Sequence, residues 1–300
     1  MDIAKDIREF LMTRRARLRP EDAGLPFGHR RRVPGLRREE VAQLSGVSTE
    51  YYTKIERGKL AGVSDEVLNA VARALRLTDD EIAHFFNLAR AAAATRSGAA
   101  TRRTNQHTVP DGMQALMDSM HEAPAIVMTG CLDILAANPL GRALYAPVFE
   151  RATGIPNLAR FIFFAPAADH LFPQWKATAD EAVGLLRAEA ARSPQSPAIT
   201  QIVGELATRS DEFRTRWAAH NVTAHRHGTK RFRHPAVGEL TLTYNVLGVT
   251  AATGLSLVGY TAEPNSQSAQ AIKILGSWAV TQSSIDRSGA DRDRITKTTE

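Results

Sequence analysis

A single cysteine, Cys131, stands in 300 residues. That excludes a disulfide framework, a Cys-ligated zinc finger and an iron–sulfur cluster, and it fits a reducing compartment. Long apolar runs are also missing. The best candidate for a bilayer span, Asn245 to Tyr260, is diluted by Thr, Gly and Ser and reads as strands. Asp2, Lys5, Asp6, Arg8 and Glu9 crowd the first ten residues, so no secretory signal starts there and a cytoplasmic protein is expected. Enzyme signatures are lacking too: there is no phosphate-binding glycine loop, no Gly-x-Ser-x-Gly elbow and no His-Glu-x-x-His. Cys131 falls between two short strands with no base in sight, which argues against a nucleophile. The expectation is a protein that is not an enzyme. No internal repeat is visible.

Apolar residues make up 43% and charged residues 23%, the balance of a globular chain. Three hundred residues exceed what one core usually covers, so two domains are expected. The net charge of +6 is unevenly placed. Residues 1–103 hold 20 Lys and Arg against 14 Asp and Glu, and the remainder is balanced at 18 of each. A basic segment beside a neutral one points to a polyanionic partner for the first third.

Helical spacing runs through Ile3, Ile7, Phe10, Leu11 and Leu18 and stops at Pro20. A loop follows, with the basic run His29-Arg30-Arg31-Arg32. Ser64 is an N-cap with Asp65 and Glu66 in the first turn, and Thr78 opens a further helix that ends near Ala94. The first 94 residues thus read as five helices. Residues 95–109 have no apolar period and read as a linker, and the polar stretch 284–300 reads as a disordered tail. Between them, strands are expected at 125–128, 134–137, 222–225, 230–234, 239–247 and 255–261. Helices are expected around 139–145, 155–164, 168–192, 198–208, 211–219 and 266–280. Strands, then helices, then strands indicate an α+β domain over 110–283 with an antiparallel sheet.

The chemistry concentrates in Arg37 to Gly58. Ala42 is small enough for two helices to cross closely. Gly46 supplies the positive φ of a tight inter-helix turn. Val47 plugs the angle between the helices, and Ser48 caps the second one. Val41, Tyr52 and Ile55 face the core. Thr49, Glu50 and Lys54 are left on the outer edge, where base edges would lie if this helix entered a major groove. Glu50 can accept from a cytosine amino group and Lys54 can donate to guanine.

This pattern resembles the lambda-repressor-like (XRE-type) helix-turn-helix family over residues 1 to about 90. The resemblance implies a double-stranded DNA partner, two-fold homodimers on half-sites about one helical turn apart, and Thr49, Glu50 and Lys54 as the base-reading set. It implies Arg37, Arg38, Ser48, Arg57 and Lys59 at the backbone, with the loop arginines Arg31 and Arg32 along the backbone or in the minor groove. It also pairs Glu56 with a basic residue of the first helix, here Arg15. One departure stands out: glutamines frequent at the reading positions are absent.

The resemblance continues. Val33-Pro34-Gly35-Leu36-Arg37-Arg38, Asp133-Ile134-Leu135-Ala136-Ala137-Asn138, Asn157-Leu158-Ala159-Arg160-Phe161, Ser210 to Val222 and His234-Pro235-x-Val237-Gly238-x-Leu240 are similar to regulators with an MmyB-like ligand-binding domain. That domain is PAS-like, an antiparallel sheet with helices on one side around an apolar pocket. The resemblance implies a small, non-covalent, fatty-acid-like ligand and no cofactor. The densest aromatic cluster, from Phe161 to Trp175, suits an acyl chain and equally suits plain core. Phe161, Phe164, Trp175, Arg214, Trp217 and His220 are the candidate pocket residues. His220, His225, His227 and His234 lie close in sequence, but without Cys or a second nearby carboxylate no metal is expected. A pure dimerisation or protein-docking module is the alternative reading of this half, and a small tethered enzyme a third.

Overall fold

The computed structural model describes residues 2–25, 33, 35–60, 62–97, 108–219 and 227–278, with the side chains of 94–97 left aside. Arg31, Arg32, His220, His225, the strand expected at 222–225, most of the linker and the tail lie outside them. Contacts divide the chain into two compact units. One holds residues 1–104 and 183–224; the other holds 105–182 and 225–300. The break at 104/105 falls inside the expected linker 95–109, while residues 183–224, within the expected second domain, group with the first unit.

In the first unit, α1 (Ile3–Arg17), α2 (Arg38–Ser45), α3 (Thr49–Glu56), α4 (Asp65–Ala74) and α5 (Asp79–Ser97) are the five expected helices. Four of them begin on a side-chain cap. Asp2 caps α1, Ser48 caps α3 through the Tyr51 N–H, and Ser64 caps α4 through the Val67 N–H. Thr78 and Glu81 form a reciprocal box at the start of α5. Ile7, Phe10, Leu11, Val41, Tyr52, Ile55, Val71 and Phe85 are fully buried, each burial worth about 1.5–3 kcal/mol relative to exposure. The same unit takes the C-terminal part of α11 (Trp175–Arg192) together with α12 (Pro197–Arg209) and α13 (Asp211–Ala218).

The second unit opens with α6 (Asp111–Asp118) and builds a five-stranded sheet from β1 (Ala125–Thr129), β2 (Ile134–Ala137), β3 (His227–His234), β4 (Gly238–Gly248) and β5 (Leu255–Thr261). The order is β2-β1-β5-β4-β3 and every pairing is antiparallel. Between β2 and β3 in sequence lie α7 (Pro139–Leu144), α8 (Ala146–Glu150), α9 (Leu158–Phe164), α10 (Ala168–Leu171) and the start of α11. A last helix covers 267–278. The single helix expected over 168–192 is two. Phe172 precedes Pro173 and is extended, because the proline ring disfavours the helical region in the residue before it.

Helices cover both faces of the sheet at the β1 end, not one. All five residues of β1 are buried, so each face needs a partner. Ala125, Val127, Leu255 and Leu257 form a cluster with Met113 and Met117 of α6. On the opposite face Tyr145, Phe172, Phe232 and Tyr260 pack ring against ring, with centroids 5.6–6.0 Å apart. Two asparagines hold the turns. Asn138, 1% exposed, accepts from the Ala125 and Gly141 N–H groups and donates to the carbonyls of Met117, Met120 and Ala123. Asn157 donates to the Cys131 carbonyl and to the Asp133 carboxylate and accepts from the Arg160 N–H. These motifs are structural nodes.

Candidate nucleic-acid interface

The turn between α2 and α3 is set by Gly46 at φ 69°, in the left-handed region, with Ala42 buried beneath it and Val47 half-buried against the core. A second close approach lies at the far end of α3. There Gly58, at φ 81°, leaves room for Ala4 of α1, whose Cα would sit 2.5 Å from any Cβ.

These constraints give α3 two edges. Tyr52 and Ile55 are fully buried, while Ser48, Thr49, Glu50 and Lys54 are exposed, as are Arg57 and Lys59 just beyond. The proposed base-reading set therefore shares one accessible edge. Thr53, between them, turns its hydroxyl back onto the Thr49 carbonyl at 2.7 Å.

Glu56 closes the helix on its buried side, 1% exposed. Arg15 of α1 grips it through Nε to Oε2 at 3.1 Å and Nη2 to Oε1 at 3.2 Å, the expected pair. Arg38 grips it too, with Nε and Nη2 at 3.1 and 3.0 Å from Oε1. Arg38 was expected only at the DNA backbone. Its first task is to hold α3, with a guanidinium that remains 45% exposed. Arg15 also donates to the Leu36 carbonyl at 2.7 Å. Arg37 caps α2, its N–H on the Glu40 carboxylate at 2.6 Å and its side chain on Glu39 at 3.3 Å. Arg15, Val33, Arg37, Arg38, Glu39 and Thr49 together line a shallow groove of about 320 Å³ beside α3. Burial and the nearby Glu56 carboxylate push the Tyr52 hydroxyl far above its ordinary range, so it stays neutral.

The candidate pocket residues are divided between the two units. Phe161, Phe164 and Trp175 belong to the second unit and Arg214 and Trp217 to the first. Phe161 is buried edge-on against Phe172 at 6.2 Å, and the Trp175 indole N–H is spent on the Ile162 carbonyl at 2.9 Å. Arg214 is tied to Asp211 and to the Ala207 carbonyl. His234 is a core hydrogen-bonder: Nδ1 accepts from the Ala236 N–H, which leaves Nε2 to donate to the Ala143 carbonyl at 2.9 Å. Among the described residues no three His, Cys, Asp or Glu side chains form a metal-binding group, and no helix is long and apolar enough to cross a membrane.

A different cavity appears in the second unit. An open groove of about 800 Å³ beside the edge strand β2 is lined by Val109, Ile134, Leu135, Ala136, Arg142, Phe149, Ile155 and Pro156. The Arg142 guanidinium stacks over the Phe149 ring at 4.6 Å. Sequence reading missed this groove because its walls come from segments whose proximity no local pattern encodes.

Comparison with known families finds two matches. Residues 9–85 match a helix-turn-helix domain, and residues 109–275 match the MmyB-like transcription regulator ligand binding domain. No curated protein matches the chain.

Proposed function

The chain belongs to the MmyB-like transcription regulators, and we propose on that premise that it reads a specific operator with α3 and answers to a small amphiphile held by its second half. DNA binding and transcription regulation come with the family. The sequence-specific reading is carried by one observation. Thr49, Glu50 and Lys54 share the exposed edge of a helix whose other edge is locked by Tyr52, Ile55 and Glu56. A rigid helix with polar side chains along one edge is what base readout in a major groove needs. Arg37, Arg57 and Lys59 flank that edge for phosphates, which position the protein without specifying sequence.

For the second half, the groove along β2 supports a ligand with an apolar body and an anionic end. Its volume lies in the usual range for small-molecule sites, its walls are mostly aliphatic, and Arg142 supplies positive charge. A fatty-acid-like molecule has that form. A homodimer is the natural operator-binding state, and the exposed Ile274 and Trp278, four apart on one helix face, favour self-association through this half.

The test of the DNA reading is selection of duplexes from a random pool by the full chain. Enrichment of a two-fold pattern supports it, and a pool that stays random after repeated rounds refutes it. For the ligand, native mass spectrometry and melting curves with a series of straight-chain carboxylates are decisive. Binding raises the melting temperature with concentration, and Arg142→Ala removes the shift. A clean protein mass with no shift for any chain length, in a stable dimer, would leave the second half as a dimerisation module.

A further inference from the structure

Residues 183–219 are distant in sequence from the N-terminal helices but belong to the same compact unit. Specific contacts tie this segment to α1. Ala191, near the end of α11, is buried in the cluster that contains Ile7, Phe10 and Leu11. Arg17, at the end of α1, donates from Nη2 to the Ala219 carbonyl at 3.2 Å. One turn before Ala191 on α11, Arg187 is 3% exposed. Its guanidinium lies 4.3 Å from the centre of the Trp217 ring and donates to the Trp217 carbonyl.

The electrostatics extend to α1. Burial pulls the Arg187 guanidinium down to about 10, and the Asp6 carboxylate of α1 works against that pull. Burial likewise pushes the Asp6 carboxyl up, and Arg187 draws it back. A buried charge of this kind is costly to leave without its neighbours, and the packing of Ala191 and the bond from Arg17 to Ala219 are the contacts by which the segment meets α1.

The other side of α1 matters equally. Arg15 grips Glu56 at the end of the recognition helix, and Ala4 meets Gly58 just beyond it. A displacement of α1 therefore reaches α3 through a buried ion pair and a backbone contact.

We propose that the end of α11 and α13 form a brace docked on α1, with Arg187 as the positioning residue that keeps α1, and through Arg15 and Glu56 the recognition helix, in the DNA-competent arrangement. The DNA-binding unit is then composite, built from both ends of a sequence interval of some two hundred residues. The coupling rests on the DNA-binding reading; the brace itself does not.

Hydrogen exchange on the full chain tests both parts, with wild type, Arg187→Gln and Arg187→Lys, and a duplex selected on the wild type. Loss of the guanidinium raises exchange in α1 and in 211–218 together while β1, β4 and β5 stay protected. It also weakens duplex binding roughly tenfold with an unchanged salt slope, because Arg187 touches no phosphate; the lysine recovers part of both. By reciprocity the duplex slows exchange in 183–192 and 211–218 of the wild type. A rise confined to 183–218, with α1 and duplex affinity unmoved, overturns the proposal, and so does an altered salt slope. If Arg187→Gln also loses sheet protection, Asp6→Asn replaces it and carries the same expectation. If no duplex can be selected, the DNA reading fails while the exchange pattern still judges the brace.

Discussion

Arg15 and Glu56, forty-one residues apart, meet in a two-point ion pair that joins the first helix to the end of the recognition helix. The carboxylate is buried and the guanidinium nearly so. Removing one member leaves the other's charge uncompensated. Glu56→Ala should cost about 3 kcal/mol, read by urea unfolding. Glu56→Gln keeps the shape and should cost less. A loss no larger than that of a surface substitution would mean that solvent already screens the pair.

Arg37 and Arg38 are neighbours with different duties, and the two alanine variants should separate them. Arg38→Ala removes two contacts to buried Glu56 and should lower stability by about 1–3 kcal/mol. Arg37 makes an exposed pair with Glu39, worth at most about 1 kcal/mol, so its loss should appear mainly in DNA binding. There the salt slope should fall by about one. Equal stability of the two variants would contradict this assignment.

Lys54→Ala should reorder duplex preference at one position of each half-site, while Arg57→Ala and Lys59→Ala should weaken all duplexes alike. Competition binding against single-base-pair variants of a selected duplex separates the two behaviours. A uniform loss for Lys54→Ala would move that residue to the backbone class.

The two glycines of the motif should differ. Gly46→Ala meets open space and incurs only the left-handed φ, about 1–2 kcal/mol. Gly58→Ala adds a collision with Ala4 at 2.5 Å and should be the more damaging, since α1 must move away. Melting temperatures of the two variants provide the comparison.

Burial lowers the His234 pKa below its ordinary value of about 6.5, although its bond to the Ala143 carbonyl favours the protonated ring. The unfolded chain therefore takes up the proton first as pH falls. His234 contributes stability that is complete above about pH 6.5 and is lost on acidification towards the lowered pKa. Urea unfolding at pH 7.5 and 5.5 should show a larger acid loss for the wild type than for His234→Gln. Identical pH dependence would show that another group controls it.

What could be read from the chain alone follows the range of the interactions. The helix-turn-helix was legible because its determinants are local: Ala42, Gly46, Val47 and Ser48 all act within a few residues of the turn they shape. The strands among the described residues were legible to within a few residues for the same reason, since alternation is a short-period signal. Pro173 was legible in principle, and its break of the helix after Phe172 follows from proline sterics. Arg38 on Glu56, Arg187 on Trp217 and the groove between β2 and Ile155 depend on partners eighteen or more residues apart, and no spacing rule encodes such encounters. The aromatic run from Phe161 to Trp175 showed composition, but whether its rings enclose a space or fill one is decided by packing.

The boundary between the two compact units falls inside α11, after residue 182. A fragment cut at the apparent linker would lose Ala191 from the cluster around Ile7, Phe10 and Leu11, the Arg17 bond to the Ala219 carbonyl and the Arg187 charge that acts on Asp6. If the brace holds, the N-terminal helices and the last part of α11 with α13 form one folding unit, and moving the helix-turn-helix to another receptor requires carrying both.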